Sequence, residues 1–97
     1  MDVKQLLQDK KGTIIDVRTP AEYQMGCAVD SVNIPLQEVM DRMVEIKTLQ
    51  TPLILCCASG GRSGQATSYL SSLGIECVNA GSWLDVNYLQ AQINKKS

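Results

Sequence analysis

The stretch that most constrains this chain is Leu53-Ile54-Leu55-Cys56-Cys57-Ala58-Ser59-Gly60-Gly61-Arg62-Ser63-Gly64. Its opening apolar residues suit a strand buried on both faces. The run ends at two thiols, small residues follow, and Gln65 to Leu73 read as a helix. Strand, tight small-residue loop and helix together aim a row of backbone N–H groups at one point. Those amides and the positive end of the helix favour an anion there. A cysteine at that point should lose its proton more readily. Free cysteine has a pKa of about 8.5, so only a few per cent is thiolate, the reactive form, at neutral pH. Lowering that pKa by ~2 units takes roughly 2.7 kcal/mol of preference for the charged form. Several converging amides can supply it.

Two registers fit the loop. Counted from Cys57, the segment Cys57-Ala58-Ser59-Gly60-Gly61-Arg62-Ser63 resembles the active-site loop of small rhodanese-type sulfurtransferases, Cys-x-x-Gly-x-Arg-Ser. Counted from Cys56, the spacing is similar to the wider loop of cysteine-dependent phosphatases. The smaller ring leaves room for one sulfur atom carried on the thiolate, and the larger one encircles a tetrahedral phosphate. The Cys57 register is favoured. The strand is expected to hold Cys56 as its last in-sheet residue, with Cys57 where the chain turns out. Phosphatases of that kind usually carry a histidine before the nucleophile, and this chain contains none. The remaining reading is a glycine-rich turn beside two buried thiols, since free cysteine is often a small core hydrophobe.

Arg62 and Ser63 each carry two readings. A cation in the first turn of a helix opposes the macrodipole by perhaps 0.3–1 kcal/mol, so a bound anion or thiolate nearby is expected to offset it. The alternative is a solvated surface arginine. Ser63 can donate its hydroxyl to sulfur, or cap the helix as serine commonly does.

Composition narrows the function classes. At 97 residues the chain is read as one domain, 1–97, with a single core. A net charge of −1 without a basic cluster argues against nucleic acid as a partner. No apolar run approaches a membrane span, and the N-terminus lacks a signal peptide's apolar stretch, so a cytoplasmic protein is expected. Cys27, Cys56, Cys57 and Cys77 include no Cys-x-x-Cys, and with histidine absent they read as thiols, with no metal expected.

Taken in order, Asp2 caps a short helix with Val3, Leu6 and Leu7 on one face, ended by Gly12. Thr13 to Val17 is a β-branched strand. Thr19-Pro20-Ala21-Glu22 is a capping box with proline at the first helical position. Val32-Asn33-Ile34 is a second strand. Leu36, Val39, Met40 and Met43 then form a helical face. Thr51-Pro52 precedes the reactive strand. Beyond the loop, Ala66, Tyr69, Leu70 and Leu73 mark a helix stopped by Gly74. Ile75 to Asn79 is the last strand, Ser82 caps a final helix with Asp85 three residues on, and a loose tail is expected from Asn94 to Ser97.

Asp16-Val17-Arg18, Glu22-Tyr23, Gly26 and Val32-Asn33-Ile34-Pro35-Leu36 also resemble the rhodanese signature, from Thr13 to Trp83 in all. Cys27 stands where that family usually has histidine. It reads as a packed thiol, with sulfur acceptance or a disulfide as the sharper alternative. Asp16 falls on the sheet edge where α/β folds place their sites, but the resemblance implies that Asp16 and Arg18 brace neighbouring loops. Trp83 follows Gly81 more closely than in the family pattern.

Alternating strands and helices call for an α/β fold, with a central parallel sheet of four to five strands flanked by helices on both faces. The resemblance implies a sulfurtransferase. Cys57 would take a sulfane sulfur as a persulfide, held by the amides of Ala58, Ser59, Gly60, Gly61, Arg62 and Ser63, with Arg62 guiding the donor. No cofactor or metal is implied. The expected partners are a small anionic sulfur donor and a thiol or protein acceptor, and the chain is expected to be a monomer or at most a weak dimer. Ala58 and Ser59 leave the loop less charged than in members with a second basic residue, which favours a protein persulfide over thiosulfate. The rival readings are a phosphatase or arsenate reductase acting through Cys56, and a rhodanese-like module that carries sulfur or binds a partner without turnover.

Overall fold

β-Branched and leucine-rich segments build the sheet. The computed structural model describes residues 1–95. β1 (Thr13–Asp16), β2 (Val32–Asn33), β3 (Leu53–Cys57) and β4 (Cys77–Ser82) are all parallel, in the order β2-β1-β3-β4. Every residue of β3 is buried, as a central parallel strand covered on both faces must be. The sheet therefore has four strands, within the expected range.

Alternation along β3 splits the core in two. Leu53, Leu55 and Cys57 pack with Ile15, Ile34, Val39, Ile46, Ala66 and Leu70 on one face. Ile54 and Cys56 pack with Ile14, Ala28 and Val86 on the other, covered by Leu6, Leu7 and Trp83. The first face is covered by α3 (Met43–Ile46) and α4 (Gly61–Ser72), the second by α1 (Val3–Gln8) and α5 (Trp83–Lys95). Helices thus lie on both faces.

Caps behave as their residues dictate. Asp2 accepts the Lys4 N–H at 3.0 Å to start α1. α2 (Pro20–Gln24) has both arms of its capping box, Glu22 N–H to Thr19 Oγ1 at 3.2 Å and Thr19 N–H to Glu22 Oε1 at 3.0 Å. Ser82 accepts the Leu84 N–H at 3.1 Å at the head of α5.

Four expectations are corrected. The face from Leu36 to Met43 is not one helix. A 3-10 turn at Leu36–Glu38 is followed by α3, and Arg42 between them leaves helical geometry at φ −109° and ψ 24°. Arg42 is held there by Glu38 and Glu45, Val39 and Met43 still face the core, and Met40 is 67% exposed. α4 begins at Gly61, not Gln65, so most of the expected loop is its first turn. β4 runs to Ser82 because a bulge lets Leu55 pair with Asn79 and Cys56 with Gly81. Asn94 and Lys95 belong to α5 rather than a loose tail, whose last two residues, Lys96 and Ser97, lie outside the described residues.

Gly12 makes the join between α1 and β1. Its φ is +84°, and a Cβ there would overlap the Pro52 carbonyl oxygen, which accepts the Thr13 N–H at 3.1 Å. Gly12→Ala is therefore expected to lower stability by about 2–3 kcal/mol. Urea denaturation checks this, and a loss under about 0.5 kcal/mol would contradict the clash.

Candidate active site

The carboxyl ends of the parallel strands carry the chemistry-bearing side chains. Cys57 is the last residue of β3 rather than the first outside it, a correction that follows from its pairing with Ser82. Only Ala58, Ser59 and Gly60 separate it from α4. The Gly60 N–H points back to Cys57 Sγ at 3.0 Å, and Gly60 itself, at φ +101°, turns the chain into α4. A side chain there would be strained and would press on the Gly81 Cα. The Ser63 N–H meets the same sulfur at 3.5 Å and Ser63 Oγ lies 3.4 Å from it.

Two opposing effects set the acidity of this thiol. Burial pushes its pKa up. Hydrogen bonds from the Ser63 hydroxyl and the amides of Ser63, Gly60 and Ser59 outweigh burial and bring it down to about 7. Cys56 shows the contrast. Its side chain lies on the other face of the sheet, in the apolar cluster with Ile54 and Val86. Burial, with the nearby Asp16 carboxylate, pushes its thiol up to about 12. Cys56 thus sits as a core thiol whose burial favours the protonated form.

Arg62 also departs from expectation. What offsets its charge at the helix start is the Glu22 carboxylate, with Arg62 Nη1 to Glu22 Oε1 at 2.7 Å and Nη2 to Oε2 at 3.1 Å. Arg62, first among its partners, and then the Thr19 amide hold the Glu22 carboxyl down at about 2. Ser63 is not the helix cap, since Gly60 occupies that position. Its hydroxyl donates to Asn79 Oδ1 at 2.7 Å. Asn79 in turn donates to the Gly60 carbonyl at 3.1 Å and accepts the Gly81 N–H at 3.0 Å.

Asp16 and Arg18 form a buried fork beneath this edge. Arg18 Nη2 lies 2.7 Å and Nε 2.9 Å from Asp16 Oδ2. The guanidinium also donates to the carbonyls of Gly26 and Glu22 at 2.7 and 3.3 Å, and lies 4.7 Å from the Trp83 ring centroid. The pair therefore ties β1 to α2, its following loop and the start of α5. Its position fits bracing, since neither side chain hydrogen-bonds to Cys57. Cys27 lies half-buried beside Tyr23, and Cys77 against Thr67 and Ser71. Among the described residues, Cys57 is the thiol that receives backbone amides.

The family model for the rhodanese-like domain matches residues 1–87. The chain belongs to the rhodanese-like family. A thiosulfate sulfurtransferase of Escherichia coli, PspE, is 38% identical over 74 residues, which cover 74% of this chain and 71% of that protein. A sulfurtransferase of Allochromatium vinosum is 38% identical over 61 residues, and there the chain spans 56% of its relative's length. Among solved structures, a rhodanese-related protein of Thermoplasma volcanium superposes with a TM-score of 0.74 at 30% identity, covering 91% of this chain and 88% of that one. An E. coli rhodanese solved with anions gives 0.67 at 35% identity, covering 75% and 88%.

Two residues of this rhodanese-like site escaped the sequence reading. Glu22 was absorbed by its capping box, and nothing local marks a second role toward a residue 40 positions on. Asn79 left one faint signal, an asparagine inside a strand, where that residue is depleted. Its function depends on the bulge that follows it, and the bulge is not visible in residue types.

Proposed function

We propose that this rhodanese-like chain is a sulfurtransferase that carries sulfane sulfur as a persulfide on Cys57. The single observation that carries this reading is the convergence of the Gly60 and Ser63 N–H groups on Cys57 Sγ. Cys56 meanwhile lies buried on the opposite face, which leaves the phosphatase reading without a nucleophile.

In the proposed cycle the Cys57 thiolate attacks the outer sulfur of a donor such as thiosulfate. A sulfur–sulfur bond forms to Cys57 as the donor's own breaks, and sulfite leaves with that electron pair. The anionic outer sulfur rests against the amides of the Ala58 to Ser63 loop, as an oxyanion rests in its hole. A thiolate or cyanide then attacks that sulfur and takes it, and Cys57 returns to thiolate. The cycle is ping-pong and draws on no cofactor. Arg62 attracts an anionic donor, but Glu22 already engages both ends of its guanidinium. Thiosulfate, a dianion, gains less from such an arginine than from a free one. A persulfide donor, and a thiol of a small molecule or protein as acceptor, fit the site better.

Intact-protein mass spectrometry after thiosulfate or persulfide treatment tests the reading. One added sulfur is expected, mapped to Cys57 and removed by cyanide. Sulfur on another cysteine, or none with either donor, would sink it. Loading without turnover would instead favour the carrier module. The loading rate should follow the thiolate, rising with pH through a midpoint near the Cys57 value of about 7. One unit below that midpoint only about a tenth of the thiol is ionised, so the rate should fall to about a tenth of its plateau. A midpoint above pH 8.5 would mean that the loop amides do not hold the thiolate.

A further inference from the structure

The Ser63 hydroxyl has two neighbours and one proton. Ser63 Oγ lies 2.7 Å from Asn79 Oδ1 and 3.4 Å from Cys57 Sγ. The Asn79 amide is oriented from two other sides, with Oδ1 accepting from the Gly81 N–H at 3.0 Å and Nδ2 donating to the Gly60 carbonyl at 3.1 Å. Turning the amide over would set donor against donor and acceptor against acceptor. Asn79 thus presents an acceptor to Ser63, and a hydroxyl can donate only once. With its proton on Asn79, Ser63 turns lone pairs toward the sulfur. Lone pairs favour S–H and oppose the thiolate, the reverse of what the Gly60 and Ser63 amides do.

We propose that Asn79 is a positioning residue that governs how readily Cys57 gives up its proton, by holding the single hydroxyl proton of Ser63 away from the sulfur. In the resting thiol, Cys57 S–H donates to Ser63 Oγ, which donates to Asn79 Oδ1. When the sulfur is anionic the hydroxyl turns, and its hydrogen bond passes from Asn79 to sulfur. The thiol proton leaves to solvent, and the rest of the change is in hydrogen bonds alone. The Cys57 pKa of about 7 belongs to this second arrangement, with the hydroxyl donating to sulfur. The other charged or titratable groups around Cys57 are already engaged or buried. Arg62 of α4 pairs with Glu22 of α2, Asp16 of β1 pairs with Arg18, Cys56 of β3 lies in the opposite core, and Cys77 of β4 bonds to Thr67 and Ser71. None of them competes for the Ser63 proton.

The inference rests on Cys57 being the reactive thiol, as proposed above. Its test is the pH dependence of iodoacetamide alkylation at Cys57, mapped by peptide mass spectrometry in the full chain. The comparison is between the unmodified protein, Ser63→Ala, Asn79→Ala and the double variant. Ser63→Ala alone is expected to raise the titration midpoint by well under a unit, because the hydroxyl reaches the thiolate only by giving up its hydrogen bond to Asn79. The Asn79→Ala shift should lie about one pH unit lower with Ser63 present than with it removed, because only then is a hydroxyl freed to turn to the thiolate. Comparing the two backgrounds cancels whatever Asn79→Ala does to the loop through Gly60 and Gly81. Equal shifts in both backgrounds overturn the proposal, and so does a rise of about a unit on Ser63→Ala alone. Failure of the sulfur-transfer reading shows separately, as absent sulfur loading in the unmodified chain, and leaves this coupling readable.

Discussion

Cys57→Ser is expected to abolish sulfur loading and to lower turnover with any sulfane donor by at least about a thousandfold, while Cys56→Ala keeps both. The two variants differ because only one of the two thiols receives the loop amides. An alcohol is not ionised at neutral pH and cannot hold a transferable sulfur, so nothing at position 57 replaces the thiolate that the Gly60 and Ser63 amides stabilise. Cys56 contributes only packing to the apolar layer with Ile14, Ile54 and Val86. Trimming it to alanine leaves a small void, with a stability cost of about 1–2 kcal/mol and no loss of chemistry. The measurement is steady-state turnover beside intact mass for both variants. Loading that survives in Cys57→Ser but disappears in Cys56→Ala would reverse the assignment and restore the phosphatase-like register.

Arg18→Ala should be the most damaging change away from the sulfur. It leaves the Asp16 carboxylate, 0% exposed, without its fork partner, and frees the carbonyls of Gly26 and Glu22. Breaking a buried pair by removing one member costs about 3–5 kcal/mol. For a chain of this size that is a large share of total stability. Asp16→Asn keeps the shape and removes the charge, so its loss should be smaller but in the same direction. Urea unfolding of the two variants gives the numbers. A folded Arg18→Ala protein within about 1 kcal/mol of the parent would mean that the pair braces little. Should either variant stay folded, its Cys57 should still load sulfur. A fold that is kept while loading is lost would move the pair from bracing into the chemistry.

Local signals carried most of the architecture. Thr19 and Glu22 specify a helix start at any depth, because both arms of the capping box close within one turn. Gly74 ends α4 and Ser82 begins α5 for equally local reasons, a left-handed φ of +80° and a hydroxyl that accepts the Leu84 N–H. The stretch from Leu36 to Met43 misled because a helical spacing also fits two short turns that show the same residues to the core. Glycine-rich sequence at Gly60-Gly61 reads as loop on propensity, yet the Gly60 carbonyl accepts the Gly64 N–H at 2.9 Å and Gly61 is the first residue of a helix. β4 starts two residues and ends three residues later than the expected strand, and the bulge that carries it on to Ser82 leaves no mark in residue types.

Residue order alone determined that a thiol would end a buried strand at the amide-rich mouth of a helix, because that outcome needs only a run of apolar residues and a few glycines next to one another in the chain. Strand alternation also sets Cys56 and Cys57 on opposite faces of the sheet, as two adjacent residues of any strand must be. Only the tertiary structure decided what surrounds that thiol. Glu22 comes to Arg62 across 40 residues and Asn79 to Ser63 across 16. Pairings of that kind depend on how parallel strands stack and where one of them bulges. They are properties of the assembled sheet, and no local preference of the residues involved encodes them.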